Sequence, residues 1–292
     1  MERNMTGGMN FMPQNKAFVM GHPIAHSRSP MLHGYWLKRH GIDGSYERLD
    51  IAPADLAAFF SGFRDAGWIG GNVTVPHKTA VISFLDRIDA DANAMGAVNT
   101  IYWDEGQLVG GNTDAIGFMG NLDERAPGWD RGARLAVVIG AGGATRAAIH
   151  GLRSRGLAVA VCNRTLEKAE LLARHFGDGV TAYGLDALPR LMSDADLFVN
   201  TTSLGMVGQP PLAVDLTRLK ASAVVYDIVY VPLETALLEA ARAGGHGTVD
   251  GLGMLLHQGV EGFSRWFKVR PEVTDELRGL ISDDIRAKTP GA

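Results

Sequence analysis

The stretch VVIGAGGATRAA, residues 137–148, limits the fold more than any other part of the chain. An apolar run ends in Gly140, Gly142 and Gly143, and a helix-forming run follows at once. Glycines at a strand-to-helix junction permit a tight turn and let the backbone approach a ligand closely. The helix that follows points unpaired N–H groups and the positive end of its dipole at that ligand, which suits a phosphate. Turns of this kind open the βαβ unit of a doubly wound parallel sheet and take the pyrophosphate of a dinucleotide. Gly140, Ala141, Gly142, Gly143 and Ala144 are therefore candidate cofactor-binding residues. Thr145 stands where the pattern expects Gly or Ala, and its small hydroxyl side chain is expected to pack there.

The surrounding sequence supports such a sheet. Strand candidates run at 134–140, 157–163, 180–183, 196–202, 223–229 and 246–251, with helical stretches between most of them. Six strands in this alternation suit a nucleotide domain. At the end of its second strand an NAD-binding fold would carry an acidic residue for the ribose 2′-hydroxyl. This chain has Asn163, Arg164 and Thr165 there, then Lys168. A guanidinium grips a phosphate with a planar fork, so the segment predicts NADP over NAD.

Ahead of this unit lies a second α/β set. Strands are expected at 16–21, 45–51 and 97–103, and another in GGNVTVPHK (70–78), broken at Pro76. Helices are expected at 29–41, with Ser29 as N-cap and Pro30 in the first turn, and at 53–67, closed by Gly67. The repeated β–α–β order predicts a mostly parallel sheet. WDEGQ (103–107) reads as a hairpin turn, and Trp266 and Phe267 read as helix packing residues. The tail from about Leu252 is helical and belongs to neither set by pattern.

Composition excludes several function classes. The 292 residues are 46% hydrophobic and 21% charged, enough for a sizeable core. The net charge of −4 lacks the basic excess of a nucleic-acid binder. No apolar run approaches the ~18 residues of a membrane span. The first 15 residues read as a flexible leader with no secretory signal. The one cysteine, Cys162, allows neither an internal disulfide nor a cysteine-based zinc site, which suits the cytoplasm. His22 and His26 are four apart, but Pro23 follows the first and no Glu completes a zinc motif, so no metal is expected.

Several segments together resemble the shikimate dehydrogenase family. They are GHPIAHSRSP (21–30), NVTVPHK (72–78), GAVNT (96–100), NTDAIGF (112–118), the glycine turn, NRT (163–165), NTTSLGM (200–206), DIVYVPLETALL (227–238) and DGLGMLLHQ (250–258). The resemblance implies reversible, NADPH-dependent reduction of 3-dehydroshikimate to shikimate, a step of aromatic amino-acid and chorismate biosynthesis. It implies a two-domain α/β enzyme: a substrate domain at 1–113 and 252–292, and a Rossmann-like doubly wound NADP domain at 114–251. The C-terminal helices would return to the first domain. The active site would lie in the cleft, and the protein would be a monomer or homodimer.

By the same resemblance, Lys78 is the proton donor and Asp114 its partner. Ser27 and Ser29 bind the substrate carboxylate. Asn72, Thr74, Asn99 and Gln258 match positions that bind hydroxyls or the carboxylate, and Tyr230 a substrate-side position. Thr201 and Gly251 join the cofactor set. A quinate or aminoshikimate dehydrogenase is the alternative within this fold, and a non-catalytic NADP-binding regulator the alternative outside enzymology.

Overall fold

The structure, a computed structural model, describes residues 15–289. The leader reading therefore falls outside the described residues, apart from Asn15, which opens the first strand. The chain builds two six-stranded sheets. The first contains β1 (Asn15–Gly21), β2 (Gly44–Asp50), β3 (Trp68–Val73), β4 (Arg87–Ile88), β5 (Thr100–Asp104) and β6 (Gln107–Gly111), in the order β2-β1-β3-β5-β6-β4. The second contains β7 (Leu135–Ile139), β8 (Ala158–Cys162), β9 (Val180–Tyr183), β10 (Leu197–Asn200), β11 (Val224–Asp227) and β12 (Gly247–Val249), in the order β12-β11-β10-β7-β8-β9.

All pairings in the second sheet are parallel. Its strand order reverses direction between β7 and β10, the position where open α/β sheets take their ligands. All six strands expected from the sequence are present. The strands are apolar on both faces because helices cover both: α5 (Gly143–Ser154) and α6 (Leu166–Phe176) lie on one side, α7 (Leu188–Leu191) and α8 (Ala236–Ala243) on the other.

The first sheet is mostly parallel, as expected. β1 pairs in parallel with β2 and β3, β4 is parallel to β6 at the edge, and β5 is the one strand that runs the other way, antiparallel to both β3 and β6. The cause is the hairpin at Glu105–Gly106, where both residues take positive φ. The helix expected at 53–67 is shorter. A 3-10 turn at Pro53–Asp55 leads into α2 (Leu56–Ser61), and Gly62 caps it. Ser29 is not an N-cap. Arg28 holds that position, with no side-chain cap bond, and Ser29 is the first residue of α1 (Ser29–Arg39).

The remaining helices join the two halves. After the short α3 (Ala90–Met95), α4 (Asp114–Arg125) leaves the first sheet and packs on α5. The long α9 (Leu252–Phe267) and α10 (Asp275–Lys288) return to the first sheet. Leu256, Val260, Phe263, Trp266 and Ile281 share one core with Val19, Leu32, Trp36 and Tyr46. Trp266 lies over Gly70 and donates from Nε1 to the carbonyl of Ile101 at 2.9 Å. A Cβ on Gly70 would sit 2.4 Å from that nitrogen, so the close approach requires glycine.

Candidate active site

Three loops and the start of one helix converge at the C-terminal ends of the central strands. β3 ends at Val73, and the next turn carries Thr74 and delivers Lys78. His77 is buried and tied through Nε2 to the carbonyl of Ile51 at 2.6 Å, which fixes that turn. Asp114 opens α4, where the helix dipole favours a carboxylate. The Lys78 ammonium forms an ion pair with Asp114 Oδ2. Asn99 holds the other oxygen, donating from Nδ2 to Asp114 Oδ1 at 2.7 Å, and Asn112 Oδ1 accepts from the Asp114 N–H at 3.0 Å. The two residues are 36 apart in sequence, and both side chains are largely withdrawn from solvent.

This pair lines a cavity of about 360 Å³. Every other residue read as substrate-binding lines it too: Ser27, Ser29, Asn72, Thr74, Asn99, Tyr230 and Gln258. Freed from capping, Ser29 is 6% exposed and its N–H donates to Ser27 Oγ at 3.3 Å. Arg48 clamps the same loop, donating twice to the carbonyl of Ser27 at 3.0 and 2.7 Å. Gln258 is a buried residue of α9 whose Oε1 accepts from Thr113 at 3.4 Å.

Asn72, like Asn99, engages its side-chain amide with partners within the protein. Asn72 Oδ1 accepts from the Tyr46 hydroxyl at 2.6 Å, and its Nδ2 donates to the Asn99 carbonyl at 3.1 Å and to Thr100 Oγ1 at 3.2 Å. Its amide thus braces Asn99. Tyr46 is hidden in the sequence, although its inward position in an alternating strand is an available signal. Burial raises the phenol of Tyr230, and Arg28 beside it opposes that rise. Arg28 also bonds Asp284 of α10 at 3.1 Å.

A larger cavity of about 1040 Å³ adjoins the first, sharing His26, Ser27, Arg28, Ile228 and Tyr230. Thr201, Thr202 and Ser203 line its far wall. Gly140 has φ +124, and a Cβ there would lie 2.5 Å from Thr201 Oγ1. A Cβ on Gly142 or Gly143 would meet nothing, so the start of α5 is open to a ligand. Thr145 is buried as expected. Its Oγ1 accepts from the Gly142 N–H at 3.0 Å and lies 2.7 Å from Thr201 Oγ1. Thr201 in turn donates to the carbonyl of Ile139 at 2.7 Å, so its hydroxyl shapes the turn. Gly251 is pressed against the Ile228 carbonyl, where a Cβ would fall at 1.9 Å.

Arg164, Thr165 and Lys168 are exposed at the end of β8, and neither cation forms an ion pair among the described residues. Asn163 braces this corner by donating to the carbonyl of Thr165 at 2.8 Å. An open helix start beside two unpaired cations fits a dinucleotide carrying an extra phosphate. Burial pushes the Cys162 thiol up to about 12, which leaves it an inert strand residue.

A parallel doubly wound sheet with this turn, facing a lysine–carboxylate pair across a cleft, defines a two-domain NADP-dependent oxidoreductase. Comparison with known proteins specifies it further. The family description "Shikimate dehydrogenase substrate binding domain" matches residues 19–101. "Shikimate / quinate 5-dehydrogenase" matches 129–229, and "Shikimate 5'-dehydrogenase C-terminal domain" matches 251–275. The shikimate dehydrogenase (NADP(+)) of Azorhizobium caulinodans is 55% identical, over 92% of this chain and 96% of its own length. The solved shikimate 5-dehydrogenase of Thermus thermophilus, in complex with NADP(H) and shikimate, is 36% identical with a TM-score of 0.78, covering 94% of this chain and 99% of that one. Quinate dehydrogenase from Corynebacterium glutamicum in complex with NAD is 31% identical with a TM-score of 0.84, covering 92% and 99%. The chain belongs to the shikimate dehydrogenase family.

Proposed function

We propose that this protein reduces 3-dehydroshikimate to shikimate reversibly, with NADPH, in the cytoplasm, as a step toward chorismate and the aromatic amino acids. The observation that carries the reading is the Lys78–Asp114 ion pair at the wall of a polar cavity whose other lining matches the substrate's groups. Reduction of a ketone needs a proton on oxygen as well as a hydride on carbon. When bound, NADPH supplies the hydride. Lys78 donates the proton to the carbonyl oxygen, and in reverse its neutral amine takes the hydroxyl proton. Asp114 keeps Lys78 aimed, while Asn99 holds Asp114. Assistance of this kind is worth ~10²–10⁴ in rate.

Ser27 and Ser29 take the substrate carboxylate as hydroxyl donors. Thr74, Asn99, Gln258 and Tyr230 take its hydroxyls, and Asn72 contributes by bracing Asn99. Gly140, Ala141, Gly142, Gly143 and Ala144 cradle the pyrophosphate. Asn163, Arg164, Thr165 and Lys168 form the 2′-phosphate corner, and Thr201 and Gly251 shape the nicotinamide end. Residues 1–113 with 252–292 act as the substrate domain, and 114–251 as the cofactor domain. The protein acts as a monomer or homodimer.

A spectrophotometric panel of shikimate and quinate, each with NADP and NAD, tests the assignment. The highest kcat/KM is expected for shikimate with NADP. A higher value for quinate, or for NAD, would replace the assignment with the corresponding dehydrogenase.

A further inference from the structure

One buried acid near the cleft has no part in the mechanism above. Asp227, at the tip of β11, is fully buried. Its Oδ1 accepts from Asn200 Nδ2 at 2.9 Å and from the Val229 N–H at 3.0 Å, and its Oδ2 accepts from the Thr235 hydroxyl at 2.7 Å. All three donors are neutral, and burial pushes the carboxyl up to about 6. Burying a charge with no cation beside it costs stability, and the three hydrogen bonds offset that cost in part.

Those bonds converge from both loops that wall the larger cavity. Asn200 faces Asp227 in register across the parallel β10–β11 pair. It also organises the first loop: its Oδ1 accepts from the Thr202 N–H at 3.0 Å and the Thr202 hydroxyl at 2.7 Å, and its Nδ2 donates to the Leu204 carbonyl at 3.1 Å. Val229 belongs to the second loop, between Ile228 and Tyr230, which line both cavities. Thr235 caps α8, where that loop ends, and accepts from the Leu238 N–H at 3.3 Å. The Asp227 carboxylate thus accepts from both loops and from the cap of α8 at once.

We propose that Asp227 is a positioning residue that locks the 201–205 and 228–235 loops together, so that Ile228 and Tyr230 hold nicotinamide and substrate in reacting register. This rests on the functional reading above. Neither Asp227 nor Asn200 bonds the glycine turn or the Arg164 corner, and Thr201 reaches the turn through its own bonds to Thr145 and Ile139, so the effect falls on alignment rather than on cofactor affinity. Misplacement by about 1 Å can cost ~10²-fold in rate.

The test compares wild type with D227A, D227N and T235V. It measures kcat, shikimate affinity by calorimetry on cofactor-free protein, NADPH affinity by fluorescence, and melting temperature. In D227A, kcat is expected to fall about a hundredfold and shikimate binding at least fivefold, with NADPH affinity within about threefold. D227N retains one acceptor oxygen, and its amide can donate to the Thr235 hydroxyl, so it should recover kcat to within about fivefold of wild type. T235V removes one of the three bonds and carries the test if D227A does not fold; its kcat should fall several-fold. Lower melting temperatures with kcat and shikimate affinity unchanged would make Asp227 merely structural and overturn the proposal. D227N as impaired as D227A would overturn it as well. Wild type inactive toward shikimate would instead sink the functional reading itself.

Discussion

Lys78 and Asp114 show how far single residues can be read. Neither is distinctive in its own segment, since a lysine after Pro-His and an aspartate after Thr have ordinary uses at helix starts. Their pairing is a fact of tertiary structure and becomes legible only through a family pattern spread over the chain. Lys78→Ala should lower turnover at least a hundredfold while NADPH affinity stays within about threefold, checked by steady-state kinetics and a fluorescence titration. Arg164 makes a separate claim about cofactor choice. Without its guanidinium the 2′-phosphate loses a charge-assisted fork, so Arg164→Ala should reduce the preference for NADP over NAD by about tenfold or more in kcat/KM. The sequence signal here is local and clear: a basic segment stands where an acidic residue would mark NAD.

At the scale of elements, the second sheet is far more legible than the first. Buried parallel strands read as continuous apolar runs, and all six appear where those runs fall. The first sheet hides β4, two residues long, and β6, whose two glycines weaken any strand pattern. The antiparallel turn of β5 and β6 is signalled by WDEGQ, but its consequence for the sheet is not. Ser29 misleads because a serine directly before Pro30 matches a cap, whereas the helix starts one residue earlier in register. The contact between α9 and β3 has a sharp consequence. Gly70 combines φ +143 with Trp266 and the Ile101 carbonyl at its missing Cβ. Gly70→Ala should destabilise the protein by more than about 2 kcal/mol in denaturant melts, with Trp266 fluorescence reporting the displaced indole.

For the whole molecule, one liability to acid lies in the core shared by α1, α9 and β2. His33 is fully buried there, stacked on Tyr46 at 4.1 Å between centroids and parallel to Phe263 at 6.0 Å. Neither ring nitrogen has a hydrogen-bond partner among the described residues. Burial lowers its pKa from 6.5 to about 3. The folded protein therefore holds the ring neutral, while the unfolded chain takes up a proton below about pH 6.5. Stability from this source is intact above about pH 6.5 and drains away as pH falls toward about 3. His33→Phe keeps the aromatic stack and removes the proton site. Its melting temperature should drop less than that of wild type between about pH 7 and about pH 5. An identical drop would place the acid lability elsewhere.

The return of α9 and α10 to the first sheet also sets an order on synthesis. The half of the protein that leaves the ribosome first lacks Leu256, Phe263, Trp266 and Ile281, which complete its interior. The cofactor half has all its strands by Val249 and can close while the earlier half still waits for its last helices. Chains halted before residue 252 would thus carry a finished nucleotide fold tethered to an unsealed partner, and the catalytic groove would be born only once those helices emerge.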